Sequence, residues 1–220
     1  MQIAGRQISL IYDINKDECT YAFKDIDICL NAREIVGIMG PSGCGKSSLL
    51  YVLSGMRKPT GGTVYYDDVD IESYSVNEKA RIRRLRFGFI FQKHFLIEYL
   101  SVLENVLTAI NSDADVYKEK AMDILEDLKI SHLAKRKPNQ LSCGQRQRAA
   151  VARALMNNPE VIFADEPTAS LDHNNAIELI NVLEKFKDRS TIIIATHDHT
   201  ILRNANRIIE LWDGCTITHV

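Results

Sequence analysis

No stretch of this chain approaches the ~20 consecutive apolar residues that a bilayer-spanning helix requires; its longest apolar runs are as short as Ile192-Ile-Ile-Ala195. The first residues, Met1-Gln-Ile-Ala-Gly-Arg6, lack the apolar centre of a secretory leader. The five cysteines (Cys19, Cys29, Cys44, Cys143 and Cys215) are odd in number, widely spaced and free of any C-x-x-C pair. That pattern belongs to reduced thiols, not to a secreted disulfide framework. A formal net charge of −2 gives neither nucleic acid nor an anionic membrane surface any overall attraction. Repeats, low-complexity tracts and Pro/Gly/Ser-rich linkers are also missing. What remains is a cytosolic chain that does not span membranes, long enough at 220 residues to bury a core without disulfides or a structural metal.

Hydrophobic patterning then divides the chain. Residues 3–12, 23–30, 34–39 and 63–66 are aliphatic or aromatic runs bounded by Gly, Asn, Asp or Pro, and predict strands. Helical spacing follows over 102–110 and 116–128, and 146–156 is an Ala- and Arg-rich helix. Strands resume at 161–164, 191–196 and 207–212, with a helix over 174–186 between the first two. Alternating strands and helices in this last third imply βαβ units and a parallel sheet. The expected architecture is therefore one α/β domain over 1–220. It has a mixed, mainly parallel core sheet, an antiparallel β lobe near the N-terminus and a helical insertion over about 93–158.

Gly40-Pro41-Ser42-Gly43-Cys44-Gly45-Lys46-Ser47 fits G-x-x-x-x-G-K-[ST] between a predicted strand and a predicted helix over 47–53. The glycines let successive backbone N–H groups converge on phosphate oxygens, and the helix N-terminus beyond them adds partial positive charge. Lys46 can reach the terminal phosphates of a nucleotide, the Ser47 hydroxyl can coordinate Mg²⁺, and Ser48 follows at the mouth of the turn. Downstream, Val161-Ile-Phe-Ala-Asp165-Glu166 sets two carboxylates at the C-terminal end of a buried strand, where open α/β sheets place their ligands. Asp165 suits a hard cation, and Glu166 suits a general base acting on water. ATP and Mg²⁺ are the expected ligands.

Leu141-Ser142-Cys143-Gly144-Gln145, followed by Arg-Gln-Arg-Ala-Ala-Val-Ala-Arg-Ala-Leu155, resembles the signature segment of ABC ATPases, which other P-loop enzymes do not carry. The resemblance extends over essentially the whole chain and implies further roles. Tyr12 resembles the aromatic that stacks on adenine, with Tyr21 a less well spaced rival. Gln92, in Phe89-Ile-Phe-Gln92, resembles the glutamine that touches Mg²⁺ or the attacking water and senses a membrane partner. Ser170-Leu171-Asp172 resembles the D-loop, and His197 the switch histidine facing the γ-phosphate. Ser142 and Gly144 would contact ATP held by a second copy of the chain. Cys143 departs from the usual glycine of the signature, which puts the closeness of that dimer in question.

Ile82-Arg-Arg, Gly88-Phe-Ile-Phe-Gln92, Leu103-Glu-Asn-Val106 and Lys137-Pro-Asn-Gln-Leu-Ser142 are similar to the short ATPases of the LolD/MacB/FtsE-like branch. That resemblance implies an ATP-dependent homodimer driving a separate transmembrane permease from the cytoplasmic face, in export or extraction of a lipophilic or peptide substrate. The alternative is an FtsE-like motor whose membrane partner signals to an extracellular enzyme without transport. No long coiled coil, zinc module or second ATPase domain points to DNA repair or translation, and no nucleic-acid partner is expected. Nor does His197-Asp-His199 have further ligands at zinc spacing. With Val220 soon after the 207–212 strand, no C-terminal regulatory domain is expected.

Two local expectations complete the reading. The basic stretch 79–86 reads as a solvated helix face ahead of a strand over 87–91, with a membrane partner or lipid headgroups as the alternative contact. Cys44, beside Lys46 at a helix N-terminus, is expected to be the reactive thiol. Cys143 is its competitor, and Cys19, Cys29 and Cys215 are expected to be inert in or beside strands.

Overall fold

The computed structural model describes residues 1–12, 20–110 and 114–218. Two sheets organise it. The antiparallel one has the order β2-β1-β4-β5, from β1 (Ile3–Tyr12), β2 (Thr20–Leu30), β4 (Gly61–Tyr66) and the short β5 (Val69–Asp70). The core sheet has the order β10-β9-β3-β8-β7-β6. Its members are β3 (Ile35–Met39), β6 (Phe87–Ile90), β7 (Val161–Asp165), β8 (Thr191–Thr196), β9 (Arg207–Trp212) and β10 (Cys215–Thr218). All neighbours in it are parallel except β10, which returns antiparallel along β9.

Every residue of β3, β7 and β8 is buried, which is why these strands read as unbroken apolar runs. Successive side chains point to opposite faces of a strand, so each run feeds two cores. Ile192 and Ile194 join Ile35, Ile162 and Ala164 against α4 (Lys118–Asp127), α5 (Cys143–Leu155) and α6 (His173–Glu184). Ile193 and Ala195 join Val36, Ile38 and Phe163 against α1 (Lys46–Leu53) and the antiparallel sheet, with Phe23, Ile8 and Leu50 completely or nearly buried there. Between β6 and β7 the regular elements among the described residues are helical, chiefly α3 (Val102–Leu107), α4 and α5.

Boundaries move where capping chemistry decides them. The Ala/Arg-rich helix starts at Cys143, earlier than its composition suggests, because Ser142 caps it. Helical spacing over 116–128 resolves into a 3₁₀ turn, Ala114–Tyr117, followed by α4. The basic stretch does form a helix, α2 (Val76–Arg86), with Ser75 and Glu78 closing a reciprocal capping box. Strand β10 lies outside the predicted strands: Cys-Thr-Ile-Thr has β-branched residues but is only four residues long, and it is held by pairing with β9.

The start of the β6–β7 pair, Phe87 opposite Val161, is pinned by a two-bonded ion pair. Arg86 Nε lies 2.7 Å from Glu160 Oε1 and Nη2 lies 2.8 Å from Oε2. The Arg86 hydrogen bond holds the Glu160 carboxyl below its ordinary value of 4.5. A lowered carboxyl value means stabilisation that is full above the unfolded value and lost as pH falls through the folded one. With the two side chains 34% and 42% exposed, solvent screening limits the pair to about 1 kcal/mol or less. Glu160→Gln should therefore lower the urea midpoint slightly at pH 7, and the gap to the parent should close below about pH 4; a constant gap across pH would show that the ion pair is not its source.

Candidate functional site

Strand β3 ends at Met39, and the chain curls through 40–45 into α1. Gly45 is a residue this turn cannot replace: its φ is 101°, and a Cβ there would stand 2.2 Å from the Ala22 carbonyl oxygen. It is also the N-cap of α1 and offers no side-chain cap, so the first N–H groups of that helix are left to whatever enters the turn. Lys46 is 6% exposed, with Nζ donating to the carbonyls of Gly40 (2.7 Å) and Pro41 (3.0 Å). A buried ammonium ion needs counter-charge, and Glu166 Oε1 lies 3.6 Å from it.

Parallel pairing brings the remaining groups to this turn. Met39 is opposite Thr196, and Ala195 is opposite Asp165, so the ends of β3, β8 and β7 lie side by side. Asp165 Oδ1 accepts a hydrogen bond from Ser47 Oγ (2.8 Å), and Oδ2 accepts a longer one from the Tyr51 hydroxyl (3.4 Å). Burial, foremost, and the neighbouring Glu166 charge push the Asp165 carboxyl up, against the pull of Ser47, Tyr51 and Lys46. Glu166 takes φ 46°, a left-handed backbone unusual for a non-glycine residue. Its carboxylate sits between Lys46 and His197 Nδ1, the latter at 3.0 Å.

Lys46, Glu166 and His197 border one hollow of about 340 Å³, whose walls also include Tyr12, Ser42 and Gln92; Asp165 and Tyr51 stand behind it, with Asp165 reached through Ser47. Gly43, Gly45, Ser47, Ser48 and the rival aromatic Tyr21 border it as well. Tyr12 donates to or accepts from Ser48 Oγ at 2.9 Å, and the Arg57 guanidinium stacks 4.2 Å from its ring centroid. Gly40 and Pro41 enter the turn through their carbonyls, which hold Lys46. Tyr51 and Arg57 escaped the sequence reading, because neither belongs to a motif; only an aromatic one helical turn beyond Ser47 hinted at the former.

The signature segment lies elsewhere. Ser142 caps α5: its Oγ accepts from Gln145 N (3.3 Å), and its own N–H donates to Gln145 Oε1 (2.9 Å). Leu141 is buried behind this cap. Ser142, Gly144 and Gln145 share a second hollow, about 560 Å³, with Ser170, Leu171 and Asp172. Asp172 caps α6 through Asn175 N at 3.0 Å. A Cβ on Gly144 would fall 2.8 Å from Leu171 Cδ2, so an added methyl there would require the end of the D-loop leucine to shift. Cys143 has no such constraint. It is exposed, occupies the first helical position, and does not take a positive φ, so a side chain costs nothing in this subunit. The two hollows have no residue in common.

The cysteine expectations require correction. Cys44 is 7% exposed and packs into the apolar core behind the turn, so its side chain is no wall of the phosphate hollow. A position within the turn says where the backbone goes, not which way the side chain leaves it. Cys29 and Cys215, expected to be inert by burial, are exposed, and Cys19 lies outside the described residues. Cys143 Sγ lies 4.0 Å from His94 Nε2.

The sheet order and the strand–turn–helix at its centre define a P-loop nucleotide-hydrolysing enzyme. Residues 23–169 match the ABC transporter family, and the chain belongs to that family as one of its ATP-binding, ATP-hydrolysing cassettes. It is 43% identical over 199 residues to an uncharacterised ABC transporter ATP-binding protein, MJ1508, of Methanocaldococcus jannaschii, covering 89% of each chain. It is 40% identical to the macrolide export ATP-binding/permease protein MacB of Campylobacter jejuni, covering 87% of this chain but only 30% of that protein. Among solved structures, the dimeric cassette MJ0796 superposes with a TM-score of 0.91 at 37% identity, over 97% of this chain and 96% of that one. A post-hydrolysis form of the same cassette, bound to ADP and Pi, also gives 0.91.

Exposure orders the thiols. Brief maleimide treatment of the folded protein should modify Cys143, Cys29 and Cys215 and leave Cys44 untouched until denaturant is added. Peptide mass mapping reads this directly, and rapid native-state labelling of Cys44 would mean that the turn does not pack as described.

Proposed function

We propose that two copies of this chain close head to tail around ATP and thereby drive a separate transmembrane permease at the cytoplasmic face of a membrane. The observation that carries this reading is the separation of the two hollows. One holds the phosphate turn, Glu166 and His197; the other holds the capped N-terminus of α5 and the D-loop. A second copy turned about a two-fold axis would set each α5 N-terminus against the other's phosphate turn, placing helix-end N–H groups on both sides of the anion. The dimeric form of MJ0796 supports the arrangement, and the joined ATP-binding and permease parts of MacB support a membrane partner.

Within each site the roles follow from geometry. Ser47 Oγ and Asp165 Oδ1 are hard oxygen donors 2.8 Å apart. An octahedral Mg²⁺ with oxygens at about 2.1 Å would place neighbouring ligands ~3 Å apart, so the pair fits that ion, and Gln92, which borders the same hollow as Ser47, would be a further ligand. The ion would neutralise phosphate charge. Lys46 binds the terminal phosphates, Ser42 to Ser48 supply backbone and hydroxyl donors, and Tyr12 offers base stacking on the ring face away from Arg57. Glu166 accepts the proton of the attacking water, and His197 fixes its carboxylate through Nδ1. The segment 93–100, with Phe95 and Tyr99 at 62% and 75% exposure, carries the coupling from Gln92 to the permease. The likeness to MacB supports export or extraction of a lipophilic or peptide substrate.

Binding and chemistry should separate on substitution. Lys46→Ala should weaken nucleotide affinity, whereas Glu166→Gln should preserve it and cut turnover by ~10²–10⁴-fold. His197→Ala should likewise lower turnover more than affinity. Because Glu166→Gln blocks hydrolysis, it should accumulate as an ATP-bound dimer in sizing or light scattering. A Glu166→Gln protein that stays monomeric with saturating MgATP would sink the shared-site reading.

A further inference from the structure

Helix α1 reaches the Tyr12 ring from both of its ends. Ser48 stands in its first turn, and Ser48 Oγ lies 2.9 Å from the Tyr12 hydroxyl. Arg57 follows its other end, where the Arg57 N–H donates to the Tyr51 carbonyl at 3.0 Å. The Arg57 guanidinium carbon stands 4.2 Å from the centroid of the Tyr12 ring. Thr60 ties this segment back to β1. Its Oγ1 accepts from Ile11 N (3.1 Å) and donates to the Ser9 carbonyl (3.0 Å), and its N–H donates to that same carbonyl (2.8 Å).

Tyr12 needs such support. It is the last residue of β1 and only half-buried, so its backbone alone leaves the ring several rotamers. The Ser48 contact fixes the hydroxyl end of the ring, and the guanidinium covers one face. Arg57 is exposed, and among the described residues it forms no ion pair, so no carboxylate there draws it off the ring. Tyr12 borders the phosphate hollow and Arg57 does not, which puts the cation on the outer side of the ring. A base entering the hollow therefore meets the other face. Lys46 and Ser47 open the same helix, so one short rigid element sets the span from the phosphate turn to that face.

We propose that Arg57 is a positioning residue for the nucleotide base: it holds the Tyr12 ring against Ser48, so that a purine stacks on the opposite face while its phosphates fill the turn. The proposal rests on the reading of Tyr12 as the base platform. It adds the residue that keeps the platform in place. Arg57 acts through Tyr12 and not on the phosphates. A ligand whose competent site is only partly populated binds more weakly by that fraction. A cation over an exposed tyrosine face changes such a population by about two- to five-fold.

The test is calorimetric titration of the full chain with MgADP, which is not hydrolysed, and with inorganic tripolyphosphate, which has phosphates and no base. Arg57→Ala should weaken MgADP binding about two- to five-fold and leave tripolyphosphate binding unchanged. Arg57→Lys, which keeps a cation over the ring, should recover most of the loss. Tyr12→Leu should weaken MgADP binding by itself, and in that background Arg57→Ala should cost nothing more. Parental MgADP affinity in Arg57→Ala, or losses that simply add to those of Tyr12→Leu, would overturn the assignment and leave the base platform standing. An equal loss for tripolyphosphate would make Arg57 a plain phosphate attractor and equally overturn it. If Tyr12→Leu itself binds MgADP as the parent does, the platform reading falls, and the role of Arg57 with it.

Discussion

Everything in the catalytic arrangement depends on how three buried strands are paired. β3, β8 and β7 run parallel with Met39 opposite Thr196 and Asp165 opposite Ala195. A one-residue slip would turn every side chain of a strand to the other face. Because the strands feed two different cores, such a slip would exchange Ile193 and Ala195 with Ile192 and Ile194, and each core would be misfilled where Ala195 and an isoleucine trade places. Apolar packing therefore fixes the register, and the register places Lys46, Asp165, Glu166 and His197 at one sheet edge. The polar contacts there do not hold the strands together. They are affordable because the strands are already held.

Helix α5 extends this order to the second hollow. Its N-terminus presents Ser142 and Gly144, its middle bears Arg148, and its last turn bears Arg153. Arg148 is 9% exposed and bonds the Leu128 carbonyl (3.0 Å), Asn175 (2.6 Å) and Glu178 (3.1 Å). That side chain fastens the end of α4 and the first turns of α6 to α5, and so fixes the D-loop against the signature. Arg153 fastens the segment after Gln92 to the same helix. One rigid element thus fixes the spacing between the signature, the D-loop and the segment after Gln92, which is what the proposed rigid-body coupling requires.

Much of this was legible in the sequence, for identifiable reasons. The buried strands announced themselves as apolar runs, and the phosphate turn, paired carboxylates and signature each pack several fixed residue types into a short span. What the sequence concealed was the direction in which single side chains leave the backbone. Cys44 lies inside the turn yet points into the core, whereas Cys29, in a strand, points outward. The crowding at Gly144 was concealed too: Gly144 lies against Leu171, distant in sequence, while Cys143 beside it is exposed. Arg148 and Arg153 looked like parts of a family motif, but their structural work lies in long-range bonds to carbonyls and carboxylates that no local pattern encodes.

A continuous set of aromatic rings links the carboxylate edge to the surface. Tyr51, bonded to Asp165, has its ring centroid 6.4 Å from that of Phe91, and Phe91 is 5.4 Å from the exposed Phe95. Phe91 also stacks on Phe89 at 5.7 Å, and Phe89 on Phe163 in β7 at 5.4 Å. Adjacency alone transmits nothing, since coupling needs two arrangements whose balance both ends can shift. The magnitudes match that need. Each ring pair contributes about 0.5–1.5 kcal/mol beyond its area burial, and couplings between sites typically amount to about 1–3 kcal/mol. Breaking and remaking one or two of these stacks is thus of the size that ligand binding can impose. Phe163, buried in β7, cannot move without disturbing the sheet, and Phe95, at the surface, can. The adjustable contact is therefore the Phe91–Phe95 ring pair, where the exposed Phe95 ring can turn on a backbone that Arg153 holds, while the end that positions Asp165 stays fixed.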